Sequence, residues 1–351
     1  MDKTTNTALM MALIYVGIIL GAGFASGAEI MTYFAGFGLS GFFGLILSSS
    51  LFALVGYATW NICSVKNIYD YKNFMDVTMG QPTAKIMEAV LGLFMFIIFA
   101  AMLAAMGSAL QESMGFNYLF SISALSAICF ISFLFGISGI IKLNAYVSPI
   151  LIVGCVFMAV LTFVWRDQPV FAVIGENADL TRGSWAAAAI TYVSYNIIGA
   201  VVILPALKGG KGSAALKPAL LSGLILFILG LSIYISLLAN YPPGTGDSAQ
   251  IPMLALAIRH SAVLTYIFML LFLAACFTTA ATNGYAVIAT IGSRYKADAL
   301  LLSAAVCLLG IIAAMAGFSN FVRIIYPLFA LAGALEIILI IKYFVALKIK
   351  M

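Results

Sequence analysis

The chain has 351 residues, 64% of them hydrophobic and 8% charged, with 17 Lys and Arg against 12 Asp and Glu for a net charge of +5. Soluble domains carry about 25% charged residues, so a soluble domain of useful size is excluded and the chain reads as an integral membrane protein. His260 is the only histidine, and Cys63, Cys129, Cys155, Cys276 and Cys307 all sit in apolar runs without CxxC spacing, which argues against His-ligated metal sites and catalytic dyads.

Apolar runs of about 20 residues predict ten all-α spans, near 8–35, 39–65, 85–112, 117–138, 140–165, 184–208, 213–239, 261–293, 298–317 and 322–347. The first imitates a signal peptide, because Ala25-Ser26-Gly27 follows an apolar core. Only Lys3 precedes that core, and the run is read as a retained span. Counted by alternate loops, 13 Lys and Arg fall on the side of the amino terminus and four (Arg166, Arg182, Arg259 and Arg323) on the other. That asymmetry predicts both termini on the cytoplasmic side of the membrane. The excess of positive charge is a topology signal and implies no nucleic-acid partner.

Span one departs from a plain apolar helix. Gly21, Ala22, Gly23, Phe24, Ala25, Ser26 and Gly27 run into Glu29. Lipid cannot satisfy a broken backbone, so irregular main chain and a carboxylate at membrane depth point to a protein-lined or water-filled cavity. Unwinding there would expose the amides of Ala25, Ser26 and Gly27 to an anion such as an amino-acid carboxylate; packing by small residues is the alternative. Glu29 is a candidate for carrying a coupling proton, pairing with a substrate amine or helping to bind a cation, with a structural carboxylate bonded to Thr32 as the other reading. In span three, Gly107 and Ser108 either line the same cavity or pack.

Residues 166–183 form an external linker that leaves five spans on each side: 1–165 and 184–351, together one membrane domain. The halves have opposite topology, so any repeat relating them is inverted. Span six carries Tyr192, Tyr195, Asn196 and Gly199 where span one carries its small-residue motif. A break is therefore expected near 195–200, with these four as substrate-binding candidates; an interfacial aromatic belt is the alternative for the tyrosines. Residues 241–260 read as an outer lid. In span eight, Ala275, Thr278 and Thr279 share a helix face and offer the oxygens a hard cation wants, with Thr282 and Asn283 in a competing register; threonines also bond back to their own helix. Glu336 in span ten is a second intramembrane carboxylate, either functional or paired with Lys342 or a neighbouring helix.

The run GAGFASGAEI near the amino terminus, the ten-span length and the short polar loops resemble the YkvI-type bacterial membrane proteins. More distantly the chain is similar to the amino acid, polyamine and organocation transporters of the LeuT-type fold. The resemblance implies a five-plus-five inverted repeat with spans one and six unwound at mid-membrane and substrate between them. It also implies a sodium site in which the Gly17 and Leu20 carbonyls complete the shell begun by Ala275, Thr278 and Thr279. Phe24 stands where members with a second ion have asparagine, so one ion is implied. The expected function is secondary transport of a small zwitterionic solute, an amino acid above all, coupled to Na⁺ or H⁺, with no other cofactor. A solute-sensing receptor on a transporter fold, like the membrane subunits of spore germinant receptors, is the alternative. An enzyme is not indicated, and ATP-driven transport lacks its GxxxxGK[ST] loop.

Overall fold

The computed structural model describes residues 3–134, 150, 153–154, 156–164, 184–207, 210–241, 250–295 and 298–349. The 166–183 linker, most of span five and residues 242–249 of the expected lid lie outside them.

Among the described residues the structure is all-helical. The first apolar run forms three pieces, α1 (Lys3–Ile19), α2 (Ala22–Ala25) and α3 (Ala28–Tyr33). There follow α4 (Ser40–Lys66), α5 (Tyr71–Met79), α6 (Gln81–Met114) and α7 (Tyr118–Leu134), then α8 (Trp185–Ala200), α9 (Ser213–Asn240), α10 (Pro252–His260), α11 (Ala262–Tyr295) and α12 (Ala299–Ala314). The last helix, α13 (Phe318–Ile349), contains a π-helical turn at Phe321–Ile325. Five of these are long and apolar enough to cross a bilayer: Ser40–Lys66, Gln81–Met114, Ala214–Asn240, Ala262–Gly292 and Phe318–Ile349. The outer faces of these and the shorter apolar helices carry large side chains such as Leu270, Leu301 and Leu331, each at least 69% exposed, as lipid contact requires.

The helices pack in two groups. In one, α9 lies along α4 and α1, while α8 lies against α4 and α13; in the other, α11 and α12 pack on α6 and α7. Small residues set the closest approaches. A Cβ on Gly333 of α13 would strike the Ser194 carbonyl of α8, and one on Gly223 of α9 would sit 2.8 Å from the Ser49 carbonyl of α4. Without water to squeeze out, such contacts between backbones supply much of the association between membrane helices. Gly107 belongs here too, since a Cβ there would meet Tyr118 and Ile122 of α7, whereas the Ser108 hydroxyl donates to Gln250 Oε1 at 2.9 Å.

Two short helices lie between the longer ones. Asp70 caps α5 by accepting the Asn73 amide at 2.9 Å, a standard N-cap contact hidden in a segment that reads as a loop. Helix α10 falls within the expected lid.

Candidate functional site

The sequence dictates where α1 stops. Gly21 is extended (φ −77°, ψ 176°), and its amide turns to the Ile19 carbonyl at 2.8 Å instead of continuing the α-helical ladder to Gly17. The Gly17 carbonyl thus loses its ladder partner at the helix end. At the other end of α2, Gly27 takes φ +77°, a left-handed conformation that glycine adopts without strain. Ser26 seals this turn: its hydroxyl donates to the Gly23 carbonyl at 2.7 Å and accepts from the Ala28 amide at 3.1 Å. The Ser26 carbonyl accepts the Met253 amide at 3.0 Å, docking α10 on the interrupted helix.

These bonds correct one expectation. The amides of Ala25, Ser26 and Gly27 are consumed by the carbonyls of Gly21, Ala22 and Phe24; four residues are just enough for the chain to close its own turn, so those amides are not on offer to an anion.

A second correction concerns α8, which continues as α-helix through Tyr195–Ala200. It then gives way to a turn and a 3₁₀ helix over Leu204–Leu207. Pro205 explains the shift, because it lacks an amide and its ring disfavours helix in the residue before it. Asn196 lies within the helix, its side-chain amide donating back to the Tyr192 carbonyl at 2.9 Å. The Trp60 indole donates to the Leu204 carbonyl at 3.0 Å, satisfying one acceptor of the irregular stretch.

A cavity of about 850 Å³ opens between these elements. Gly17, Leu20, Gly21, Gly23 and Glu29 of the first apolar run, Tyr195, Asn196 and Gly199 of α8, and Thr278, Thr279, Thr282 and Asn283 of α11 all line it. Residues more than 250 positions apart thus share one wall. Of the remaining candidates, Ala22, Phe24, Ala25, Ser26, Gly27, Tyr192 and Ala275 are buried behind that wall. Tyr192 is held by the rings of Phe34 at 5.1 Å and Phe52 at 5.9 Å. Both tyrosines of α8 are at most 3% exposed, which removes the interfacial-belt reading.

Glu29 is 5% exposed, and its side chain folds over Gly23, where a Cβ would collide with Oε1. Tyr195 faces the carboxyl group, yet neither Glu29 Oε2 nor the Tyr195 hydroxyl makes a well-formed hydrogen bond. Thr32, the expected structural partner, lines a separate small pocket with Ser319 and Arg323. The tyrosine wall has members that sequence spacing did not suggest. Tyr326 packs against Tyr195, tilted, with centroids 5.0 Å apart, and Tyr33 touches both Tyr192 and Tyr195 at 5.7 Å while donating to the Val322 carbonyl at 2.8 Å.

On α11, Thr278 donates to the Ala275 carbonyl at 3.0 Å, Thr282 to the Thr278 carbonyl at 2.8 Å and Asn283 to the Thr279 carbonyl at 2.9 Å. The back-bonded hydroxyls keep their lone pairs, so the face remains a source of hard oxygen donors. Among the described residues no three His, Cys, Asp or Glu side chains cluster as a metal site. A cation in this cavity would therefore rely on hydroxyls, carbonyls and Glu29. Glu336 is 1% exposed and lines no part of the cavity; neither of its oxygens has a hydrogen-bond partner, so the expected pairing with Lys342 is not formed.

The chain matches no family model. It is similar to the membrane protein YkvI of Bacillus subtilis (strain 168), with 25% identity over 335 residues and 94% of each chain covered. Three solved structures share its fold. An inward-facing Mhp1 has a TM-score of 0.69 at 16% identity, covering 96% of this chain and 76% of that one. A manganese transporter of Eremococcus coleocola has 0.63 at 14%, covering 93% and 76%. A Na⁺-coupled sialic acid symporter, substrate-bound and outward-open, has 0.61 at 13%, covering 94% and 76%. These are LeuT-fold transporters, and the likeness to them gives this chain its fold.

Proposed function

We propose that this membrane protein is a secondary active transporter of a small zwitterionic solute, an amino acid above all, working by alternating access and driven by Na⁺ or H⁺. The observation that carries the reading is the cavity of about 850 Å³ at the interruption of the first apolar run, where Glu29, Tyr195 and the Thr278–Thr279 face meet. Interrupted helices around a central cavity are the hallmark of secondary transporters.

Internal packing supports a five-plus-five arrangement of residues 1–165 and 184–351. Taking the ten apolar runs as spans, span one packs on span seven and span six on span two, two pairs that a shift of five exchanges. The pairs three–nine and eight–four are related in the same way. The exposed side chains of Met10 and Leu13 mark the cavity mouth. Met10 belongs to the amino-terminal half of α1 and Leu13 lies just past its middle; that half is cytoplasmic if Lys and Arg set the orientation, so the conformation is read as inward-open. Docking of α10 onto Ser26 fits a closed outer side. In this reading Na⁺, as coupling ion, is held by the Thr278 and Thr279 hydroxyls and the Gly17, Leu20 and Ala275 carbonyls. Glu29 supplies the negative charge of the solute site or carries the proton.

The test is uptake into proteoliposomes of a panel of amino acids, with and without Na⁺ and pH gradients. Accumulation against a solute gradient that collapses with one ion gradient is the expected result. Saturable binding without accumulation under any gradient would overturn transport in favour of a solute-sensing receptor.

A further inference from the structure

Charge is distributed one-sidedly in the cavity. Glu29 is the one carboxylate among its described lining residues, and no Lys, Arg or His joins it there. A buried carboxylate with no positive partner is costly, and Glu29 Oε2 has no hydrogen bond to offset that cost. Beside it stand the rings of Tyr195 and Tyr326, 5.0 Å apart and tilted by 34°, with Phe94 edge-on to both at 6.5 and 6.1 Å. All three rings line the cavity. Aromatic faces attract cations through their quadrupoles, most strongly where water is excluded. Beyond this end, apart from Asn196 and the threonine face of α11, the wall is largely aliphatic and thioether: Ile14, Ile18, Met95, Ile98, Met102 and Val202.

From this arrangement, and accepting the cavity as the solute site, we infer that it selects an ammonium group carried on an apolar body, and that the solute needs no carboxylate. The ammonium sits between Glu29 and the Tyr195–Tyr326 wall. Its N–H groups donate to Glu29 Oε2 and to the Tyr195 hydroxyl oxygen, neither of which has a well-formed hydrogen bond in the protein alone. A bare inorganic cation is less suited to this end, where the other neighbours are rings and aliphatic chains; the carbonyls and hydroxyls such an ion prefers lie at Gly17, Leu20, Thr278 and Thr279. Solutes of net negative charge meet Glu29 with no compensating cation and are rejected. Two sources share the chemistry, a large neutral amino acid and the amine left by its decarboxylation.

The experiment measures equilibrium binding to the purified full-length protein by calorimetry and thermal shift, independently of transport. Its probes are leucine, 3-methylbutylamine (leucine without its carboxylate), 4-methylpentanoate (leucine without its amine) and glutamate. Leucine and 3-methylbutylamine should bind, whereas 4-methylpentanoate and glutamate should not. Glu29→Gln should weaken amine binding on the order of tenfold or more, as loss of a charged hydrogen-bond partner does. Tyr326→Leu removes the ring and should lose affinity; each variant is checked for an unchanged melting profile. Binding of 4-methylpentanoate as tight as leucine, failure of 3-methylbutylamine to bind, or unaltered amine affinity in Glu29→Gln would each overturn the inference while leaving the cavity as the solute site. If a solute that the protein accumulates fails to protect a cysteine placed at Gly199 from labelling, the cavity reading itself falls, and the inference with it.

Discussion

Gly23→Ala separates the position of Glu29 from its mere presence. The methyl group would stand 2.8 Å from Glu29 Cδ and 3.1 Å from Cγ, and closer still to Oε1. Carbon atoms rest at about 3.5–4.0 Å, so the carboxyl end must retreat by about 1 Å. The obstacle is the far end of a flexible side chain, which can swing to another rotamer at about 0.5–1.5 kcal/mol. Alanine also gains up to about 1 kcal/mol over glycine in a helix, leaving a net stability change within about 1 kcal/mol. Function responds differently, because a displacement of about 1 Å in a positioned group can cost about 100-fold. The expected outcome is a 10- to 100-fold rise in KM for solute uptake in proteoliposomes with the melting temperature nearly unchanged. Wild-type KM in a properly inserted variant would refute the argument that Glu29 must lie over Gly23 to act.

Replacing Thr278 and Thr279 together by alanine should abolish Na⁺-dependent binding or uptake while leaving the fold intact; sodium dependence that persists in a binding titration would exclude this face as the ion site. Gly333→Ala meets the Ser194 carbonyl of α8, a backbone atom that cannot swing aside, so overpacking should cost about 1–3 kcal/mol in a thermal melt; full stability would mean the two helices separate freely. Asp70→Ala should destabilise α5 by about 1 kcal/mol through loss of its cap. The Asn73 amide holds the Asp70 carboxyl below its ordinary value of 3.8, so its contribution is present at neutral pH and lost as pH falls below about 4. Hydrogen exchange of α5 in the wild type should thus approach that of Asp70→Ala in acid, and a constant gap between them would contradict the cap.

The apolar runs of the sequence correspond to α4, α6, α7, α9, α11 and α12 because a bilayer imposes length and hydrophobicity on each segment separately, a local signal. The small-residue motif at residues 21–27 was legible for the same reason, since Gly21 and Gly27 govern their own backbone. Its details were not: whether the amides of Ala25, Ser26 and Gly27 are free depends on a turn only four residues long. α8 ends later than its sequence suggests because Gly199, which has open space around it, carries no breaking force, whereas Pro205 does. Tyr33 and Tyr326 were invisible as members of the Tyr195 wall, since no spacing connects positions nearly 300 residues apart. Gly333 was equally silent: only the packed structure reveals a carbonyl against its Cα.

The central claim, a solute cavity that opens alternately to the two sides, is tested most directly by labelling Gly199→Cys. This residue lines the cavity with nothing within 4 Å of a Cβ, so the side chain fits. Cys63, Cys129, Cys276 and Cys307 are buried, and Cys155 is replaced by serine. With the protein in sealed vesicles of known orientation, an impermeant thiol reagent should react from the cytoplasmic side, and a transported solute should slow the reaction. Saturating Na⁺ without solute should shift reactivity toward the outer side. Reactivity from one side only, unmoved by ion or solute, would contradict the account.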